Sequence, residues 1–142
     1  MTQSIGYLLK CIQYTLRQSL DNTLREIGLT TPQYSALMAL DLNPDASNAD
    51  LARACFVTPQ TMIKILQGLE QAGFISRHPH TYNRRIIVNE LTPAAVIKLI
   101  EAQGRVDQIE NRMQVGLTDR EHELLAGLLS RFYKNLTTSD KH

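Results

Sequence analysis

The sequence predicts a mainly α-helical chain with a small β-hairpin wing, that is, a winged helix-turn-helix plus long dimerisation helices. Three observations predict it. From Thr58 to Gly73 a cap, a proline and a 3.6-residue apolar stripe spell a helix. Beyond Gly73 the period changes to two short strands around a cationic tip. Both ends of the chain carry long apolar helical stripes, more than a small winged helix covers by itself.

In chain order, residues 4–27 read as one long helix. Ile5, Leu9, Ile12, Leu16, Leu20, Leu24 and Ile27 form its stripe, and Tyr7, Cys11 and Tyr14 add a second, semi-apolar face. A helix apolar on more than one side packs against more than one neighbour. Gly28 ends it, and Thr31-Pro32 restarts a helix by the cap-then-proline rule, burying Tyr34, Leu37, Met38 and Leu40. After the break at Asn43-Pro44-Asp45, Ser47 to Asp50 caps a short helix that turns Leu51, Ala52 and Cys55 inward. Only Phe56 and Val57 then precede the Thr58 cap, a spacing that makes a helix-turn-helix whose second member is the recognition helix.

In that second helix Met62, Ile65, Leu66 and Leu69 face the core, while Gln60, Lys64, Gln67, Gly68 and Gln71 form an outward face without an acid. Gly73 is the C-terminal stop. Phe74–Arg77 and Ile86–Leu91 read as the strands, with Pro79, Asn83, Arg84 and Arg85 at the tip between them. Leu91-Thr92-Pro93 caps a further helix to about Val115, with Val96, Leu99, Ile100, Val106, Ile109 and Met113 at near-heptad spacing. Leu117-Thr118-Asp119 opens the last helix, striped by Leu124, Leu125, Leu128, Leu129, Phe132, Tyr133 and Leu136. The expected organisation is one domain over 1–142: a DNA-binding lobe at about 31–92, and dimerisation helices at about 4–27 and 93–137.

Composition bounds the function. At 142 residues and 43% hydrophobic the chain is one domain with a true core. It has no run of about 18 apolar residues for a membrane span, and Met1-Thr2-Gln3-Ser4-Ile5 lacks the basic region of a secretory leader. Two cysteines, Cys11 and Cys55, make no disulfide framework, so a reduced, cytoplasmic protein is expected. The net charge is only +1, yet Thr58–Arg85 holds Lys64, Arg77, Arg84 and Arg85 against the single acid Glu70. Local charge of that sign suits a phosphate backbone. No catalytic constellation is visible: no glycine-rich phosphate loop, nucleophile elbow or paired-carboxylate motif, and hence no enzyme and no cofactor. His78-Pro79-His80 is a His-x-His, but two neighbouring histidines do not make a metal site; phosphate contact or plain surface is expected of them.

Four segments, in order, resemble the MarR family of bacterial transcription regulators. Gly28-Leu29-Thr30-Thr31-Pro32-Gln33-Tyr34 is similar to the entry of the family's second helix, and Asn48-Ala49-Asp50-Leu51-Ala52 to the helix before the turn. Thr58-Pro59-Gln60-Thr61-Met62-Ile63-Lys64 is similar to its recognition helix, and Leu69 to Arg77 fits its "L-E-x-x-G-x-I-x-R" exit into the wing. Each motif alone is weak; four in register are specific. The resemblance implies a homodimer that binds operator DNA, most often as a repressor, and that releases it when a small ligand enters between the DNA-binding lobes and the dimer helices. The wing departs from the pattern: Asn83-Arg84-Arg85 replaces the usual Asp-x-Arg, so no carboxylate pairs with Arg85.

Thr58, Gln60, Thr61 and Lys64 are expected in the major groove. Glutamine pairs bidentately with adenine, Ile63 or Pro59 can touch a thymine methyl, and Lys64 can meet a guanine or a phosphate. Arg84 and Arg85 are expected at the minor groove. Ser47, Asn48, Pro59, His80 and Asn83 complete the candidate DNA-contacting set, while Tyr7, Cys11, Tyr14, Tyr34 and Met38 are candidates for a small-molecule effector pocket. Two alternatives stand beside this reading: a winged helix that binds a polypeptide, and a thiol-based redox-sensing regulator using Cys11 or Cys55.

Overall fold

A computed structural model describes residues 3–139. Met1 and Thr2, read above for a leader, and the last three residues of the expected domain lie outside it. The elements are α1 (Ile5–Arg25), α2 (Thr31–Leu42), α3 (Asn48–Ala54), α4 (Pro59–Gln71), β1 (Ile75–Pro79), β2 (Ile87–Leu91), α5 (Pro93–Met113) and α6 (Asp119–Ser139). They form two compact units, Met1–Ile109 and Glu110–His142, with the division inside α5.

The core of the first unit is built from one face each of α1 to α4, closed by Ile75 of β1 and by Ala95, Leu99 and Ala102 of α5. Leu24, Leu37, Leu40, Leu51, Met62, Leu66 and Leu69 are its largest fully buried side chains, each stabilising by about 2 kcal/mol relative to exposure. Their spacing is that of the stripes in the sequence, because only one face of each short amphipathic helix can reach a shared interior. Gly68 is a correction. Expected on the outward face of α4, it is half-buried against α2, where a Cβ would lie 3.4 Å from Gln33 Nε2.

The helix starts follow the local chemistry, with one shift. α2 is capped by Thr30 rather than Thr31: Thr30 Oγ1 accepts from Gln33 N–H, and Gln33 Oε1 accepts from Thr30 N–H. Glutamine at the third helical position closes this capping box, which moves Thr31 into the first turn. Thr31 is buried and donates its hydroxyl to Asp21 Oδ1 at 2.6 Å. Ser47 and Asp50 form the same reciprocal pair at α3, and Thr58 caps α4.

Gly73, at φ +80°, ends α4 in the left-handed conformation. Phe74 N–H then closes on Leu69 O, which keeps Phe74 out of the strand it was expected to open. β1 instead runs on to Pro79, and the antiparallel register pairs Ile75 with Leu91, Arg77 with Asn89 and Pro79 with Ile87. A proline is tolerated there because a two-stranded hairpin has no third strand to receive its N–H. Ile86 belongs to the wing turn, its N–H donating to Asn83 O.

α5 buries Ala95, Leu99, Ala102 and Ile109. This differs from the expected stripe. Val96 and Ile100 are 48% and 70% exposed, and small alanines take the inward positions instead. On α1, Ile5, Leu9 and Ile12 are likewise exposed, and burial in the first unit begins near Leu20. In the second unit, Leu124, Leu125, Leu128, Leu129, Phe132, Tyr133 and Leu136 of α6 are all exposed in the single chain.

The α3–α4 turn passes through Phe56 at φ 56°, the one non-glycine positive φ among the described residues. A side chain there costs roughly 1 kcal/mol, and asparagine tolerates it best. Phe56 is 82% exposed and returns little burial. Phe56→Asn is therefore expected to raise unfolding stability by about 0.5–1 kcal/mol in a urea titration, whereas Phe56→Val should lower it.

Candidate nucleic-acid interface

The apolar face of α4 fixes what its other face presents. With Met62, Leu66 and Leu69 inward, Gln60, Thr61, Lys64, Gln67 and Gln71 stand exposed. Thr58 is a cap in full: its Oγ1 accepts from Thr61 N–H at 3.2 Å and its hydroxyl donates to Thr61 Oγ1 at 2.9 Å. Thr61 therefore accepts from Thr58 and keeps its own proton to donate outward. Pro59 opens the helix beside them, and Ile63 is partly exposed on the same turn.

The wing tip is stapled by its own side chains. His80 Nδ1 accepts from the backbone N–H groups of Tyr82 and Asn83, at 3.1 and 3.2 Å. An accepting Nδ1 puts the ring proton on Nε2. Asn83 Oδ1 accepts from Arg85 N–H at 3.2 Å, an Asx-type turn in place of an ion pair with the guanidinium. Arg84 and Arg85 are exposed, and no acid pairs with either among the described residues. His78 lies 3.4 Å from Glu90, so the two wing histidines are engaged separately.

Ser47 spends its oxygen on the α3 cap, accepting from Asp50 N–H at 3.0 Å. Asn48, next to it, accepts through Oδ1 from Asn89 Nδ2 at 2.8 Å, and Asn89 Oδ1 in turn accepts from Arg77 Nε at 3.0 Å. Asn89 is not among the residues the sequence singles out. Its signal was a polar residue at an inward position of a β-branched strand.

Tyr7, Cys11 and Tyr14 are exposed along α1, while Tyr34 and Met38 pack against the core. Cys55 is half-buried, and burial pushes its thiol pKa up, away from the reactive thiolate. A groove of about 510 Å³ opens elsewhere, between α1, the start of α2 and α4. Its charged lining is Arg17, Asp21, Arg25 and Lys64, three cations to one carboxylate, and Thr61 borders it as well. Asp21 accepts from both Thr31 Oγ1 and Arg17 Nε, and these bonds hold its carboxyl below the usual range. Arg17, Asp21 and Arg25 recur every fourth residue, a charged α1 face legible in the sequence.

The MarR family model matches residues 29–87. HTH-type transcriptional repressor Rv2887 of Mycobacterium tuberculosis is 33% identical over 114 residues, covering 80% of this chain and 82% of that protein. The solved structure of the M. tuberculosis MarR family protein Rv2887 in complex with salicylic acid superposes with a TM-score of 0.74 at 30% identity, covering 92% of this chain and 97% of that one. The S. aureus MepR–DNA complex, at 21% identity, shares the fold with a TM-score of 0.85 over 94% of this chain and 99% of that one.

Asp21 gives a pH test. Because its folded pKa is lowered from 3.8, its contribution is present above that value and lost as pH falls through the folded one. Asp21→Asn is expected to lower the urea midpoint at neutral pH. The gap from the parent should narrow as pH is taken down through 3.8 and below.

Proposed function

The chain belongs to the MarR family, and we propose that it is a homodimeric repressor that binds a palindromic operator and releases it to a small anionic ligand. The observation that carries the reading is the pairing, on one lobe, of a polar α4 face bearing Lys64 with a wing tip bearing two arginines unpaired among the described residues. α4 presents Gln60, Thr61, Lys64 and Gln67, and the stapled tip presents Arg84, Arg85 and the Nε2–H of His80. In this reading α4 enters the major groove, with Gln60 placed to read a base edge and Thr61 and Lys64 to donate. The tip arginines follow the phosphates into the minor groove. A polypeptide-binding winged helix would present an apolar recognition face; here Ile63 is the sole exposed large apolar side chain of α4.

Dimerisation is supported by apolar surface that the single chain leaves open. On α1 this is Ile5, Leu8, Leu9 and Ile12, and on α6 the band from Leu124 to Leu136. A second copy related by a two-fold axis covers such faces and sets two recognition helices for a palindrome. A regulator of this kind acts by binding, not by catalysis, and works on DNA in the cytoplasm.

The groove at α1, α2 and α4 suits a small carboxylate. Its three cations exceed the one acid, and Asp21 is already satisfied by Thr31 and Arg17. The complex of the related Rv2887 with salicylic acid supports that ligand class. Thr61 and Lys64 line the groove from the recognition helix, so a ligand there acts on the residues that meet DNA.

Fluorescence anisotropy with a labelled duplex over a salt series tests this reading. Each phosphate contact adds about 0.9 to the slope of log K against log salt, so Arg85→Ala in both protomers is expected to flatten the slope by about 2. Salicylate in excess should weaken binding by the parent. Unchanged affinity and slope for Arg85→Ala would remove the wing from the interface.

A further inference from the structure

Asn89 is 2% exposed and is one of two buried polar residues among those described. It links three elements: β2, which carries it; β1, through Arg77; and α3, through Asn48. The direction of these bonds is dictated by chemistry. Arginine has no acceptor, so the Asn89 atom facing Arg77 Nε must be Oδ1. Its Nδ2 then points at Asn48, where only an oxygen can receive it. With Oδ1 of Asn48 turned inward, the remaining amide group, Nδ2, is a donor. It makes no bond among the described residues, and no buried side-chain nitrogen or oxygen lacks a partner, so this NH2 reaches solvent. The donor-only nature of Arg77 thus propagates through a buried amide to fix which atom Asn48 shows outside.

We propose that Asn89 is a buried positioning residue that holds the Asn48 amide with its NH2 outward, as a donor to a DNA backbone phosphate between the helix-turn-helix and the wing. This rests on the DNA-binding reading above. Two features support a phosphate as the acceptor. The outward group has donors and no lone pair. The linked side chain is the cation Arg77, whose Nε bond to Asn89 leaves both Nη groups outside that bond. Of the acids nearby, Asp50 is engaged with Arg53 and the α3 cap and Glu90 lies beside His78, while Asp41 and Asp45 share a surface pocket with Asn89 and Glu90 on the α2 side. Were the acceptor end of Asn48 outward instead, its oxygen would face a phosphate oxygen and repel it.

Asn89→Asp tests the orientation with little change of shape. Aspartate accepts from Arg77 as before but cannot donate, so Asn48 must flip, sending Nδ2 inward and Oδ1 outward. Expected results are an unfolding midpoint close to the parent's and a loss of duplex affinity of about tenfold per half-site, hence about a hundredfold for the dimer, the scale of one hydrogen bond to a charged acceptor in each protomer. Asn48→Ala should lose a similar factor, and the double variant no more than either single one. That non-additivity separates a flipped amide from simple repulsion by the new charge, which would add to the effect of Asn48→Ala. Additive losses would overturn the proposal. So would parent-like binding by Asn89→Asp while Arg85→Ala remains weak, an outcome that leaves the DNA reading standing. If neither variant changes binding, the Asn89 proposal and the wing contact both fall.

Discussion

Burial of one face of α4 is the constraint on which the rest depends. Met62, Leu66 and Leu69 have almost no exposed surface, and together they stabilise the lobe by several kcal/mol. Because they lie at i, i+4 and i+7, rotating the helix would expose them, so its azimuth is fixed by packing rather than by any polar contact. The opposite face is then fixed too, which is how Gln60, Thr61 and Lys64 come to project together. The same helix ends at Gly73, whose left-handed backbone sets the direction of β1. Thr92 Oγ1 donates to Gly73 O at 2.7 Å and ties the end of the hairpin back to that turn.

Polar groups add direction to this packing. The tip is held by side chain to backbone bonds, from His80 and Asn83, rather than by ion pairs, so its arginines keep their charge for a partner. At the base of the wing the buried amide of Asn89 joins hairpin to helix-turn-helix. Satisfied buried polar groups of this sort specify one arrangement, because any alternative leaves a donor or acceptor unpaired in a low-dielectric interior. Capping boxes at Thr30 and Ser47 set helix starts in the same manner.

Much of this was legible in the sequence, where local chemistry and periodicity agreed. The Thr58 cap, the α4 stripe, the Gly73 stop and the hairpin follow from residue spacing alone. Gly68 was misplaced because an outward position by count can still face a neighbouring helix that approaches closely. Periodicity puts the α5 stripe through Val96 and Ile100, whereas the chain buries Ala95 and Ala102; size-blind periodicity cannot tell a tight helix contact from a wide one. The Arg77–Asn89–Asn48 link joins residues 41 apart in sequence and leaves no pattern along it. The charged α1 face of Arg17, Asp21 and Arg25 is periodic in the sequence, but the groove it forms with Lys64 exists only once α1 lies beside α4.

The central claim is that two copies of the α4 face and wing read one DNA site. Selection of bound duplexes from a random pool at moderate salt, followed by sequencing, tests it most directly. The account predicts enrichment of a palindrome whose half-site centres lie about ten base pairs apart. Recovery of no common sequence, or of a single unpaired half-site, would contradict it.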